Sequence, residues 1–342
     1  MSKQKGTTGT KYKFLFFSLS ILLFIVFIFN IGIGSVNIPF VETTKIIFQH
    51  ITDSTNGSII WKIRMPRAIA SLLSGGYLAV AGLLLQVFFR NPVVGPSVLG
   101  ISFGAVLTVG IVMLAGLSFG IMSIHPLFIS FTAFLGSLSV MFILLAIISK
   151  IKDIATLLII GLMVGYLCHA ITSLLVAVAD KHMIKGFILW QLGSFNGFSW
   201  DEVQIVIIVG LILLSGTYLL SKPLNALLLG EDYAKSMGVN IKLFRYLIVF
   251  FSSSLAGLVT AFAGLVAFIG IAAPHMARLL FGTTDNRQLI PGVMLLGAIV
   301  TSLCDLIART AFSPVELPIS AITSFFGAPI IIGLLLRKKS AI

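Results

Sequence analysis

The side chains able to do chemistry are few, and they stand at the ends of long apolar runs. Glu231, Asp232 and Lys235 fall together in LLLGEDYAKSMGVN, and Lys235 follows Glu231 at a spacing that pairs opposite charges on one helix face. Asp305 and Arg309 in CDLIAR stand at i and i+4, which predicts a local ion pair that makes each charge tolerable near lipid. Arg64 and Arg67 flank Met65–Pro66, and a guanidinium is the group that grips a carboxylate with two parallel bonds. This is the chemistry of docking and pairing, and no catalytic constellation accompanies it. His50, His125, His169, His182 and His275 are scattered without metal-ligand spacing. Cys168 and Cys304 lie inside apolar runs and read as buried thiols. His169 beside Cys168 reads as a hydrogen-bonded helix residue, with contact to a haem-like ligand as the alternative. The chain has no G-x-x-x-x-G-K-[ST], so it binds no nucleotide through a P-loop and cannot be its own ATPase.

The elements that must position these residues are membrane spans. Hydrophobic residues make up 58% of the chain and charged residues 10%, with a mean hydropathy of +1.11; soluble domains carry about 25% charged residues. The net charge of +12 does not point to nucleic acid, because the Lys and Arg lie between apolar runs and not along one face. The 32 glycines suit close helix packing in lipid. A span needs about 20 apolar residues. Ten candidates follow, near 14–34, 67–89, 97–119, 126–148, 154–178, 203–221, 244–262, 264–281, 292–310 and 319–336. The seventh and eighth are separated only at Gly264. The first is too long for a signal-peptide core and lacks a cleavage site, so it reads as a retained span behind a disordered basic tail, 1–13. With both termini cytoplasmic, sixteen Lys and Arg fall inside and seven outside, as the positive-inside rule requires. The chain from 14 to 338 is then one all-α membrane domain.

Three segments outside the spans have content of their own. Residues 37–51 have amphipathic spacing and predict a short helix on the membrane surface. Residues 180–202 carry Trp190 and Trp200, which suit an interfacial belt. Residues 222–245 read as a folded cytoplasmic knob of two short helices broken at Gly230. Glu231 and Asp232 open the second helix, where carboxylates meet the positive end of its dipole. Tyr233, Ala234 and Met237 give that helix an apolar side, and Gly238 stops it. The plain alternative is a structured loop with no partner.

The segment from Leu229 through Gly230, Glu231, Asp232, Tyr233, Ala234, Met237 and Gly238 to Val239 resembles the coupling helices of bacterial permeases that import iron-siderophore, haem and cobalamin. Four more motifs carry the resemblance. RMPRAIASLLSGGYLAVAGLLLQVFFRNPVVGPSVLGIS (64–102) is similar to the family's R-x-P-R and N-P-L-A-x-P stretch, although Val93, Val94 and Gly95 depart from it. CDLIAR, APHMARLLFG (273–282) and ELPISAITSFFGAP (316–329) complete the set, with Ser320 where the family usually has Gly. The resemblance implies a ten-span permease working with a second permease copy or homologue, two cytoplasmic ATPase subunits that bind the ATP and Mg, and an extracytoplasmic substrate-binding protein. It implies that 222–242 couples to the ATPase and that Asn91, Pro92 and Val93 form a cytoplasmic gate. Pro92 and Pro96 do force irregular backbone, which at membrane depth survives only where it is buried or lines a cavity; a plain turn is the alternative. It places His275 and Arg278 beside the ATPase surface. It gives Arg64, Arg67 and Arg309 the role of meeting binding-protein glutamates; lipid phosphates, with Asp305 holding Arg309, are the alternative. The implied cargo is an iron chelate, ferric siderophore or haem, with cobalamin as the second reading. Such a cargo keeps its metal inside the chelator, so the permease needs no metal ligands. The rival class, an ion-coupled secondary transporter, calls for ionisable residues at the midplane, and the span interiors are almost free of them.

Overall fold

The computed structural model describes residues 3–116, 125–151 and 154–339, and these form helices joined by turns, without a strand among them. Residues 117–119 of the third expected span, and Lys152, lie outside the described residues. Helix α1 (Lys3–Gly32) leads to a short α2 (Phe40–Phe48) and α3 (Thr55–Ile59). Through a π turn at Ile60–Arg64, α3 continues into α4 (Met65–Phe88). The third apolar stretch opens as a 3-10 turn at Pro96–Leu99, continues as α5 (Ile101–Gly110), and ends in a π turn at Ile111–Gly116. Then follow α6 (Pro126–Ile148), α7 (Ile154–Val178), α8 (Lys181–Gln191) and α9 (Trp200–Leu219). The knob is α10 (Ser221–Leu228) and α11 (Glu231–Ser236). The chain closes with α12 (Ile241–Ala263), α13 (Ile269–Phe281), α14 (Asn286–Thr310) and α15 (Ile319–Lys339).

Seven of the described helices are long and apolar enough to cross a membrane, and three shorter apolar helices accompany them: Ile101–Leu114, Ile269–Phe281 and Ile319–Gly333. The expected tail at 1–13 is already helical from Lys3, although Gly6, Thr7, Thr8, Gly9 and Thr10 are poor helix formers. The segment at 37–51 does form a short helix, α2. It buries Thr43 and Ile46 and leaves Phe40, Val41 and Phe48 exposed.

The helices sort into a centre and a shell. α4 and its lead-in are buried over most of their apolar length, whereas α1 and α7 are mostly uncovered by protein. The shell helices expose Phe24, Leu167, Leu174 and Ile212, as lipid-facing surfaces do. α4 packs against α12, α13 and α14. Small residues allow this: a side chain on Gly82 would run into the backbone of Gly270 on α13.

Between α12 and α13 the helix breaks at Gly264, the one interruption legible in that apolar stretch, where φ is +69°. Gly264 itself is buried and the residues that follow, 265–268, are half-buried; a Cβ on Gly264 would strike the carbonyl of Trp190. Within α13, Pro274 has no N–H to give the carbonyl four residues back. That carbonyl belongs to Gly270, and Gln86 on α4 takes the missing role: its Nε2 donates to the oxygens of Gly270 at 3.3 Å and Ile271 at 3.2 Å. Its Oε1 in turn accepts from Arg278 Nη1 at 2.6 Å.

Candidate functional site

The two ends of the central helices carry different kinds of chemistry. Since α4 has 24 residues, its ends lie ~36 Å apart at ~1.5 Å per residue. One end holds Arg64 and Arg67, with Arg309 beside them on α14; the other holds the Asn91 turn and the knob.

At the knob end, the structure makes two helices meeting at Gly230, whose φ of +125° suits only glycine. Helix α11 stops through a pair of bonds: the Val239 N–H donates to the oxygen of Ala234 and the Gly238 N–H to that of Lys235, both at 3.0 Å. This is the Schellman arrangement, with Gly238 at φ +84° in the left-handed position. Asn240 then caps α12 by accepting from the Leu243 N–H at 3.1 Å. The expected apolar side of α11 is divided. Ala234 is buried beneath the helix, whereas Tyr233 and Met237 face outward together with Leu229, at 46%, 64% and 68% exposure. A Cβ on Gly230 or Gly238 would meet nothing within 4 Å, so the surface around both is open.

The expected Glu231–Lys235 pair is not the one formed. Both oxygens of Glu231 accept from Arg245 Nη2 at 2.9 Å, tying the start of α11 to α12. Arg245 wins because its rigid guanidinium projects from a long, packed helix, whereas Lys235 would lose side-chain entropy to hold one point charge. Two further ties hold the knob. Arg90 Nη2 donates to the oxygen of Leu227 at 3.2 Å, linking the α4 exit to the end of α10. Asn225 Nδ2 donates to Asp285 Oδ1 at 2.6 Å, and Asn225 Oδ1 accepts from the buried Asn286, locking α10 to the start of α14.

The Asn91 turn is irregular as its prolines require. Asn91 Oδ1 accepts from the Val93 N–H at 3.0 Å, and Val93 itself is exposed. A cavity of about 550 Å³ runs between this turn and the knob, lined by Arg90, Asn91, Gly230, Glu231, Asp232 and Arg245. The structure thus brings together two residue sets that are 140 positions apart in sequence, as Asn91 and Glu231 number them. Arg278, expected beside a partner surface, instead reaches inward to Gln86.

At the other end, Arg64, Arg67 and Arg309 are all buried. Asp305 does not pair with Arg309. It receives Arg67 in a bidentate contact, Nε to Oδ2 at 3.1 Å and Nη2 to Oδ1 at 2.9 Å, and Arg67 Nη1 reaches Glu316 at 2.8 Å. Arg309 Nη2 donates to the backbone oxygen of Asn30, and to its Oδ1 at 2.8 Å. Arg64 donates to the oxygens of Ile31 at 2.9 Å, Gly32 at 2.8 Å and Val36. Two guanidiniums therefore cover the C-terminal carbonyls of α1, which have no partners within the helix and carry the negative end of its dipole. The resemblance gives these arginines a docking role on the outer side; in this arrangement they are buried, Arg67 against two carboxylates and Arg64 and Arg309 against carbonyl oxygens, with Arg309 Nε left without a hydrogen-bond partner. Ser320, the departure from the resembled motif, donates its hydroxyl to the oxygen of Leu192 at 2.6 Å. Trp200 Nε1 donates to the oxygen of Trp61 at 2.8 Å, holding α9 to the π turn before α4.

Sequence reasoning missed Gln86, Asn225, Arg245 and Glu316 as organising residues. Gln86 had a usable signal, a lone amide in the apolar run LLLQVFF. The other three are long-range partners with no local signature.

The model of the FecCD transport family matches residues 22–337. The chain belongs to the FecCD transport family. Among similar FecCD-type proteins, the vitamin B12 import system permease protein BtuC of Klebsiella pneumoniae is 35% identical over 324 residues, covering 94% of this chain and 93% of that permease. The BtuC of Salmonella typhi is 35% identical over 279 residues, with 82% and 84% covered. A solved metal-chelate type ABC transporter in an inward-facing conformation aligns with a TM-score of 0.82 at 29% identity, covering 94% of this chain and 98% of that one. This FecCD chain is thus a multi-pass ABC-importer permease of the BtuC type.

Proposed function

We propose that the chain is the membrane-spanning permease of a binding-protein-dependent, ATP-driven importer for a large metal complex. The observation that carries the reading is the knob: a folded element tied to three core helices, yet presenting Leu229, Tyr233 and Met237 outward. An apolar face held this rigidly suits a cytoplasmic ATPase subunit, which supplies the ATP and Mg. In this proposal the seven long and three shorter apolar helices make ten passes with both termini cytoplasmic, in one domain that follows the basic start of the chain. The Asn91–Pro92–Val93 turn, sharing a cavity with the knob, is the gate that ATPase movement acts on. A second permease, a copy or a homologue, completes the pathway.

For the cargo, the B12-import names of the relatives favour cobalamin over the iron chelate that ranks first on the motifs alone. The metal-chelate neighbour keeps ferric siderophore or haem as the second reading. On the extracytoplasmic side, the buried arginines enter the proposal by exchange. A carboxylate of the binding protein would displace Glu316, the partly exposed member of the cluster, from Arg67 while Asp305 stays bound.

The test is uptake into proteoliposomes holding the permease, its ATPase and its binding protein, with labelled cobalamin, ferric siderophore and haem compared. Uptake that needs ATP supports the importer reading. Uptake driven by a proton gradient without ATP would overturn it in favour of an ion-coupled carrier.

A further inference from the structure

The proposed function assigns the knob to an ATPase but leaves open how a push on it reaches the pathway helices. Three ties leave the knob, and they differ in kind. The Asn225 link to Asp285 and Asn286 joins α10 to the start of α14, where Asn286 is buried. The Arg90 link is a single bond to a backbone oxygen, and it sits on the very turn that carries Asn91. The Arg245 link is the only ion pair among them within the described residues, and the only one that holds α11, the helix carrying the exposed Tyr233 and leading into Met237.

Without Arg245, α11 would be joined to the rest of the molecule chiefly by the buried Ala234 and by two glycine-containing junctions, at Gly230 and Gly238. Glycine junctions can act as hinges. A force on α11 would then rotate it about them instead of moving α12. The contact from Arg245 limits that freedom, since Nη2 lies 2.9 Å from both carboxylate oxygens in a charge-assisted contact. Arg245 Nη1 also reaches the oxygen of Ile151, before α7, at 3.5 Å. One side chain thereby joins α11, α12 and the α6–α7 connection, and it lines the same cavity as Asn91.

We propose that Arg245 is a positioning residue for coupling: with Glu231 it forms a strut that makes α11 and α12 move as one body, so that displacement of the knob reaches the Asn91 turn. The proposal rests on the ATP-driven permease reading. Arg245 itself touches neither cargo nor, by its position beneath α11, the outward face of the knob.

The experiment uses the complete importer in proteoliposomes, with a cysteine at Val93 as reporter. In the parent protein, labelling of that cysteine should change when nucleotide binds. Arg245→Gln should keep its ATPase subunits in full stoichiometry, since Leu229, Tyr233 and Met237 are untouched. It should abolish the nucleotide-dependent change at position 93 and lower transport by about fivefold, the scale on which a partly screened charge-assisted pair acts. The swapped pair, Glu231→Arg with Arg245→Glu, should recover most of the loss, a result that a general packing role would not give. Arg245→Lys keeps the charge without the planar guanidinium and should fall between the two; it carries the test if Arg245→Gln does not assemble. Transport at the parent rate in Arg245→Gln, an unaltered labelling change, or failure of the assembled swap to recover would overturn the strut. Loss of ATPase from Arg245→Gln would overturn it too, by making Arg245 part of the docking surface. A parent importer that moves cargo without ATP would instead overturn the function reading beneath it.

Discussion

The two ends of the central bundle both carry arginine–carboxylate pairs, yet they put them to opposite uses. At the α1 end, Arg67 and Asp305 are almost wholly buried, with side-chain exposures of 6% and 1%. At the knob end, Arg245 and Glu231 are partly open, at 17% and 32%. The first arrangement turns its charge inward: Arg64 and Arg309 satisfy the end of α1, and Arg67 holds α14 and the segment before α15 against α4. The second uses its charge to place an apolar surface outward. A buried pair is costly to make and far more costly to break on one side, so it suits an end that stays fixed. A partly screened pair adds little to global stability, so it can hold α11 to α12 without being needed to keep the chain folded.

The sharpest way to break this contrast is Asp305→Ala. It leaves Arg67 with only the partly exposed Glu316 and strands a buried guanidinium, a change that costs about 3–5 kcal/mol in comparable settings. The expected outcome is loss of folded permease, read as a lowered melting temperature in detergent and poor recovery of the monodisperse protein. Glu231→Ala, the corresponding change at the other end, should leave the melting temperature within a degree or two of the parent, an expectation drawn from the ~0–1 kcal/mol of exposed pairs. Equal destabilisation by both would erase the distinction.

The next largest effect concerns the outward face. Met237→Glu adds a charge at a 64% exposed position, so the fold should be indifferent to it. If that face docks an ATPase, association should weaken by about 30-fold, equivalent to ~2 kcal/mol for a residue central to an interface. Co-purification of ATPase with the tagged permease measures this. Undiminished ATPase would move the docking surface away from Tyr233 and Met237.

Smaller again is the joint between α4 and α13. Gln86→Leu removes the donor to the carbonyls that Pro274 leaves open, and it leaves Arg278 without its 2.6 Å acceptor. An unsatisfied buried polar group costs about 1–3 kcal/mol, so a melting-temperature drop smaller than that of Asp305→Ala is expected. Gln86→Glu, which strengthens the bond to Arg278 while losing the donor, should fall between Gln86→Leu and the parent. No shift in Gln86→Leu would show that water or relaxation replaces the bonds.

These contrasts also show what a sequence can and cannot disclose. The apolar runs, the knob with its stop at Gly238 and the break at Gly264 were all legible, because each follows from local chemistry: burial length, left-handed backbone, a missing Cβ. The pairings were not. Asp305–Arg309 and Glu231–Lys235 have ideal i, i+4 spacing, and in both cases a residue further off in sequence took the carboxylate: Arg67, 238 positions away, and Arg245, 14 positions away. Local spacing states which pairs are possible. Helix packing decides which guanidinium arrives already aimed, and that depends on crossings such as Gly82 against Gly270 that no charge pattern reveals. The burial of Arg64 and Arg309 was hidden for the same reason, since their partners are backbone oxygens at the end of α1.

The finest test separates a purely structural cluster at the α1 end from one that exchanges partners. Glu316 is the member with substantial exposure, 36% of its side chain, and it holds Arg67 Nη1 at 2.8 Å. Glu316→Gln weakens that contact while Asp305 keeps Arg67 in place, so the cost to stability should be small, ~0.2–1 kcal/mol. Under exchange, the freed Nη1 is easier for an incoming carboxylate to reach. The binding protein should then associate more tightly in Glu316→Gln, by up to about fivefold, and the gain should shrink as salt screens the contact. Under a purely structural role, Glu316 merely orders the 311–318 segment, and its loss should leave association unchanged or weaker at every salt concentration. Binding-protein affinity for detergent-solubilised permease, measured at low and high salt, distinguishes the two by the sign of the change, which a general loss of order cannot reverse.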